Sequence, residues 1–283
     1  MRDTKLRKLQ LVEYDLLKRF VEACELHGLR YYLLGGTLLG AIRHGGFIPW
    51  DDDVDVCMPR PDYEELLRLA GENPRLFQKA GDSYEVKLVS IRHDMTYRQG
   101  MAKITSSAVR MINRTASSEH VDDAWIDVIP LDGFPSGRLS CLLHKGRLMF
   151  WKAMDATAEF DHVVDVRRDR GVIGGMALKV FRAFCRVLRP FGDDYHRVLL
   201  RLDDAVRRYP YEGSDKVINL YAAHGFREVF DKRSFGKGRL AEFEDSSFVV
   251  PDDCDAVLKV IYGSDYMTPP PENDRNWHNA EIL

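Results

Sequence analysis

Four aspartates fall within five residues at positions 51 to 55, directly behind Pro49 and Trp50 in "FIPWDDDVDV". Carboxylates held a few ångströms apart do not all stay ionised without a counter-charge. A divalent cation supplies one, and hard oxygen ligands are what magnesium and manganese accept. In an extended strand alternate side chains share a face, so "DVDVCM" is predicted to put Asp53 and Asp55 on one face and Val54 and Val56 on the other. Asp51 joins the acid face if the strand begins early enough. The bland reading of an acid run is a solvated turn; the two valines speak against it, because they anchor the strand in a core. A calcium loop of the EF-hand kind is excluded, since Val56 stands where such a loop needs glycine.

Ahead of the acids lies "GGTLLGAIRH". Gly35, Gly36 and Thr37 sit between a predicted strand, "RYYLL", and a predicted short helix. Backbone N–H groups at a helix start bind anions, and missing side chains let a phosphate come close. A glycine pair alone usually just makes a turn. A glycine pair, a short helix and then, 17 residues after Gly36, Asp-Val-Asp is more specific. It sets a phosphate cradle beside a carboxylate pair, which suits a nucleotide-linked phosphate bridged by metal ions. Arg43 and His44 follow the helix, placed to clamp phosphate oxygens or to order the acid loop; a plain surface role is the alternative for Arg43.

These residues need a scaffold, and the bulk sequence allows one. The 283 residues suffice for one large domain or two small ones, with a hydrophobic share of 45% and a charged share of 30%. A net charge of -3 gives no reason to expect nucleic acid as a partner. Five scattered cysteines with no CxxC argue for reduced thiols in a cytosol. The charged start lacks the apolar region of a signal peptide, and the longest uncharged run, "YYLLGGTLLGAI", is about half of a membrane span. The expected location is cytoplasmic.

Leu9, Val12, Leu16, Phe20 and Cys24 recur at helical spacing, with Gly28 as a stop. "RPDYEELLRLAG" is a second well-signalled helix. Strands are expected at "EVKLVSI", "GMAKIT", "AVRMIN" and "AWIDVIP", with Asp132 in a turn behind the last. After Gly137 about 70 residues turn helical in period, and the pattern is mixed from "REVFDKRSFG" to an irregular tail. The expected fold class is α+β: a mixed sheet with helices in a core at 1–136, and a mainly helical C-terminal part at 137–283 that completes the same domain. Lys179, Arg182, Arg186 and Arg189 form a basic stripe on one helix face. Such stripes are ordinarily solvated; contact with an anionic membrane is the functional alternative.

The run "GGTLLGAIRHGGFIPWDDDVDVCMPRPDYEEL" resembles the signature of the LicD family, relatives of the fukutin-related transferases in the nucleotidyltransferase superfamily. "WIDVIPLDGFP" at 125–135 and "YGSDYMTPPPENDRNWHN" at 262–279 are similar to two later blocks of that family. The resemblance implies a nucleotidyltransferase-like mixed sheet. It also implies magnesium- or manganese-dependent transfer of a phospho-alcohol, typically phosphocholine, from a CDP-linked donor. The acceptor would be a sugar hydroxyl of a glycan or lipid-linked glycan, such as teichoic acid, lipopolysaccharide or a capsule precursor. A site at the inner face of the cell membrane would follow. It makes Asp53 and Asp55 paired metal ligands, Asp51 a third member of the acidic triplet, and Asp127 the further acid from a neighbouring strand. Asp127 is also the favoured general base. His278, beside Arg275 in the third block, is the alternative, its pKa lying near working pH. Against this, Asp127 would be an aspartate paired with a buried arginine or capping a turn. Lys103 is a phosphate contact on weak evidence, one lysine on a strand. Trp50, Tyr31 and Trp125 could stack on a cytosine or enclose a quaternary ammonium, core packing being their ordinary role.

Rival classes stay open on the core motifs alone. A sugar transferase with Asp-x-Asp ordinarily has a nucleotide-binding βαβ unit ahead of it, and only about 50 residues precede it here. A nucleotidyltransferase acting on a small molecule shares both the glycine pair and the acids. A metal-binding module without activity is the third.

Overall fold

The computed structural model describes residues 2–114, 119–158, 194–222, 224–271 and 281–283. In chain order the elements are α1 (Arg2–His27), β1 (Tyr32–Leu33), α2 (Gly35–His44), β2 (Asp55–Pro59), α3 (Arg60–Glu72), β3 (Val86–Val89), β4 (Ala102–Arg114) and β5 (Glu119–Phe134). There follow α4 (Arg138–Ala158), α5 (Tyr195–Val206), β6 (Lys216–Ile218), β7 (Val229–Asp231), β8 (Arg239–Phe243), β9 (Ser246–Val250), α6 (Cys254–Tyr262) and β10 (Glu281–Ile282). The fold is mixed α/β, as expected.

Among the described residues one sheet has eight strands, in the order β1-β2-β5-β4-β10, with β3 also on β4, β6 on β5 and β7 on β6. β2 and β5 run parallel, and every other pairing in it is antiparallel. A parallel pair is covered on both faces and reads as continuous apolar chain. Val56, Cys57 and Met58 on β2, and Ile126, Val128 and Leu131 on β5, are accordingly fully or almost fully buried. β8 and β9 form a separate hairpin. The sheet takes strands from both sides of residue 136.

α1 crosses one face of this sheet. Its apolar residues Leu16, Leu17 and Phe20 enter the main core, while Leu9 and Val12 pack with Val109, Met111, Ala124 and Trp125 on β4 and β5. α4 and α5 pack together over Phe134, Ile218 and Leu220 as a second core.

Four expectations are corrected. β2 begins at Asp55, so Asp53 lies outside the strand and the two aspartates are not set on one face by strand alternation. The chain from Asp51 to Val54 is coil leading into the strand. "GMAKIT" and "AVRMIN" belong to a single strand, interrupted only by a register shift between Ser106 and Arg110. Such a bulge breaks the period-2 pattern that a sequence reading depends on. "RYYLL" contributes only Tyr32–Leu33. Asp132 is in β5 rather than a turn: the strand continues to Phe134 because β6 pairs with its last residues, Asp132 opposite Ile218.

The helical expectation after Gly137 is met by α4 and α5; residues 159–193, which include the basic stripe at Lys179, Arg182, Arg186 and Arg189, lie outside the described residues.

Candidate functional site

The parallel pairing of β2 and β5 sets Asp55 directly beside Asp127. On the other side of Asp127 the antiparallel ladder sets Lys103 of β4. Residues paired across a ladder share a face of the sheet. Asp55, Asp127 and Lys103 therefore form a row across three strands. Asp127 is 8% exposed, and Lys103 Nζ lies 3.6 Å from its Oδ1. The ammonium is also 3.8 Å from the centre of the Trp125 ring. The counter-charge of Asp127 is thus a lysine from the neighbouring strand, and Asp127 stays on the same side as Asp55.

Just before β2, Asp51, Asp52 and Asp53 each bring one carboxylate oxygen within 4.8 Å of the others. All three are half-buried. The coil gathers three consecutive side chains in a way that an extended strand cannot. Burial first, and then the charges of Asp53, Asp127 and Asp51, hold the Asp55 carboxyl well above the usual carboxylate range.

The glycine pair is built against these acids. Gly35 opens α2 at a φ of 56°, and a Cβ there would collide with Asp55 Oδ2. A Cβ on Gly36 would collide with Asp51 Oδ2. The space beside the pair is taken by carboxylates of the acid loop, so the amino end of α2 and its positive dipole face these aspartates. Thr37 is buried, and its hydroxyl accepts a hydrogen bond of 2.8 Å from the Asp55 N–H. It locks helix to strand. The Leu34 N–H donates to Asp55 O at 3.1 Å, completing the junction.

Arg43 and His44 end the same helix. Arg43 Nη1 donates to Tyr266 O at 2.9 Å, tying the start of the third motif block to the acid side of the molecule. Burial lowers the Arg43 pKa, opposed by Tyr262 and Asp51. His44 lies edge-on to Trp50 with ring centres 6.2 Å apart, and burial and the Arg43 charge lower its pKa. The other end of the third block, with Arg275 and His278, lies outside the described residues.

Three residues that the sequence reading passed over belong here. Glu13 of α1 is 1% exposed and feels the charges of Asp53, Asp52, Asp51 and Asp127. Tyr262 at the end of α6 has its hydroxyl pKa raised by burial and then by Asp55, Asp51 and Asp53. Glu228 accepts hydrogen bonds from Asn219 Nδ2 at 2.9 Å and from the His224 N–H at 3.3 Å. Burial pushes its carboxyl up to about 7, and its charge acts on Asp55. Glu13 carried a readable signal: it stands four residues after Leu9 and three before Leu16, inside the apolar stripe of its helix. Glu228 arrives from far along the chain and carried none; Tyr262 carried one only as the first residue of the third family block.

Asp51, Asp52 and Asp53, with Asp55 and Asp127 behind them, are residues that could hold a cation. The donors are carboxylate oxygens, the chemistry of magnesium or manganese, with no thiolate or imidazole in the group. A second observation fits: the buried Glu13 Oε2 has no hydrogen-bond partner on a helix face turned to these acids.

The site thus gathers carboxylates on a parallel strand pair and its leading coil, faced by a glycine-opened helix. Residues 28–128 match the family model described as LicD/FKTN/FKRP, nucleotidyltransferase domain. The chain is similar to Lipopolysaccharide cholinephosphotransferase LicD of Haemophilus influenzae, at 26% identity over 99% of this chain and 98% of that protein. Over 83 residues it is 39% identical to Ribitol 5-phosphate transferase FKRP of Homo sapiens, covering 26% of this chain and 17% of that protein. Over 62 residues it is 42% identical to the uncharacterized protein RP689 of Rickettsia prowazekii, 22% of this chain and 23% of that protein.

Proposed function

We propose that this protein transfers a phospho-alcohol, most directly phosphocholine, from a CDP-linked donor to a sugar hydroxyl of a cell-surface glycan or its lipid-linked precursor. The observation that carries the reading is end-to-end similarity to a lipopolysaccharide cholinephosphotransferase, at 99% of this chain, in a protein whose matched domain holds the acid row. The likeness to a ribitol 5-phosphate transferase supports the wider class, a phosphorylated alcohol moved onto a glycan.

The reaction is a substitution at phosphorus. The acceptor oxygen bonds to the phosphorus that carries the alcohol, the P–O bond to the bridging oxygen breaks, and its electron pair leaves with CMP. The acceptor proton passes to a base. In our reading Asp51, Asp53, Asp55 and Asp127 hold magnesium or manganese, with Asp52 beside them. A bound ion would supply positive charge where negative charge develops on the diphosphate oxygens. Asp127, between Asp55 and Lys103, is the base in this proposal, with His278 as the competing assignment. Gly35 and Gly36 allow the helix end to sit against the acids, Thr37 fixes that junction, and Arg43 and His44, at the other end of the helix, would contact donor phosphate. Among the described residues no helix is long and apolar enough to cross a membrane. We place the enzyme in the cytoplasm, at the inner membrane face, with a peripheral contact bringing it to a lipid-linked acceptor.

The test is incubation of the full chain and magnesium with CDP-choline, CDP-ribitol, CDP-glycerol and UDP-sugars, reading the nucleotide released. CMP from a CDP-alcohol is the expected product. Pyrophosphate from a nucleoside triphosphate would mean nucleotidyl transfer, and UDP from a UDP-sugar would mean sugar transfer; either contradicts the proposal.

A further inference from the structure

Glu13 is a carboxylate 1% exposed on a largely apolar helix face. It lies on the face of α1 packed against the sheet, between Leu9 and Leu16, both fully buried. Its Oε2 is buried without a hydrogen-bond partner. An ionised or even a neutral carboxyl in that position costs free energy unless something compensates it.

The helix face is aimed at the acid loop. One turn earlier, Gln10 Nε2 donates to Asp51 O at 2.9 Å and lies 3.5 Å from Ile48 O, so α1 is fastened to the backbone of that loop. Residues three apart on a helix are neighbours on its surface. Leu9 and Val12 pack with Trp125, two residues before Asp127 and on the same face of β5. Glu13 therefore looks onto the cluster from the sheet side. Burial and then Asp53, Asp52, Asp51 and Asp127 hold its proton affinity well above that of an ordinary glutamate.

We propose that Glu13 is a carboxylate of the cation site, drawn toward a divalent cation of hard, oxygen-seeking chemistry together with Asp51, Asp52 and Asp53, so that the site includes α1. The proposal rests on the metal-dependent reading above and extends the site beyond the matched residues 28–128. It also accounts for the fastening by Gln10, which fixes the distance between helix and acid loop.

Manganese binding tests it without turnover. Free Mn2+ is followed by electron paramagnetic resonance as the full chain is titrated, comparing wild type, Glu13→Gln and, as a control on the same helix, Glu22→Gln. Glu22 is exposed and pairs with Lys79 at 2.7 Å. The expected result is Mn2+ binding by wild type and Glu22→Gln and at least a tenfold weaker affinity in Glu13→Gln. The metal-free Glu13→Gln protein should melt at or above the wild-type temperature, an outcome that a purely structural glutamate would not give. Wild-type affinity in Glu13→Gln would overturn the role of Glu13 while leaving the metal reading standing. No Mn2+ binding by the wild type would overturn both. Should Glu13→Gln not fold, Glu13→Asp decides: weaker binding at an unchanged melting temperature supports the proposal, and wild-type binding overturns it.

Discussion

The two ends of the β2–β5 pair treat charge in opposite ways. At the entering end, Asp55 and Asp127 stand side by side with Asp51, Asp52, Asp53 and Glu13 around them. Five residues further on, Arg60 at the start of α3 meets Asp132 of β5 through two hydrogen bonds of 2.7 and 2.6 Å. Arg60 Nη1 also donates to Asp203 at 2.9 Å, and Arg92 reaches the other Asp203 oxygen at 2.8 Å. One end gathers several carboxylates beside a lysine, Lys103; the other pairs its acids with arginines.

The difference separates architecture from chemistry. Around Arg60 the charges tie α3, β5 and α5 together, although burial still outweighs Arg60 at Asp132 and raises its carboxyl. Burial raises the Asp203 carboxyl, but Arg60, Arg92 and Arg207 outweigh it and bring it below the usual range. Around Asp55 the same physics runs the other way, and the carboxyl stays high. A cluster so arranged is suited to a partner with several positive charges.

Removing Arg60 should have the largest effect on stability. Arg60→Ala leaves Asp132 and Asp203 buried without their guanidinium, and breaking such a pair costs about 3–5 kcal/mol. Urea unfolding at neutral pH measures it; a loss under about 1 kcal/mol would show that the two ends do not differ as described.

Asp127→Asn should do the reverse, sparing stability and reducing turnover about 10²–10⁴-fold, the usual worth of a general base. Its effect should be far larger on turnover than on donor affinity, because the base acts on the acceptor hydroxyl in the transition state. Equal losses in both would return the base to His278.

Gly36→Val probes the junction of helix and acid loop. The new side chain displaces the Asp51 carboxylate. A cation affinity lower by about tenfold, the scale of a disturbed ligand, is expected in Mn2+ titration with the fold retained. Unchanged affinity would mean that Asp51 is dispensable to the site.

The smallest effect concerns pH. Asp203 is depressed in the folded protein, so its contribution to stability is present above the unfolded carboxylate value of about 3.9 and is lost as pH falls through the lower folded value. The acid limb of stability measured by urea unfolding should be shallower in Asp203→Asn. An unchanged limb would remove Asp203 from the matched network.

Much of this contrast was legible beforehand. The glycine pair and the acid run follow from spacing and turn chemistry, whereas Asp127 was singled out by the resemblance to the LicD family. The start of β2 did not, because pairing with β5, rather than alternation of Asp and Val, decides where the strand begins. Asp132 resembled a turn residue because its partner Arg60 is 72 positions away. Glu13 looked like one more charge on a charged helix, although its spacing from Leu9 and Leu16 placed it on the apolar face. Glu228 was invisible and Tyr262 was legible only as the start of the third family block, since only tertiary folding brings them to Asp55.

The central claim is that the acid-rich end is completed by a divalent cation, and thermal melting with and without magnesium tests it most directly. The account predicts that the metal-free wild type melts higher on adding magnesium, that Asp53→Asn and Asp55→Asn melt at or above the metal-free wild type, and that neither gains further from magnesium. A wild type indifferent to magnesium and manganese, or mutants that gain as much as it does, would contradict it.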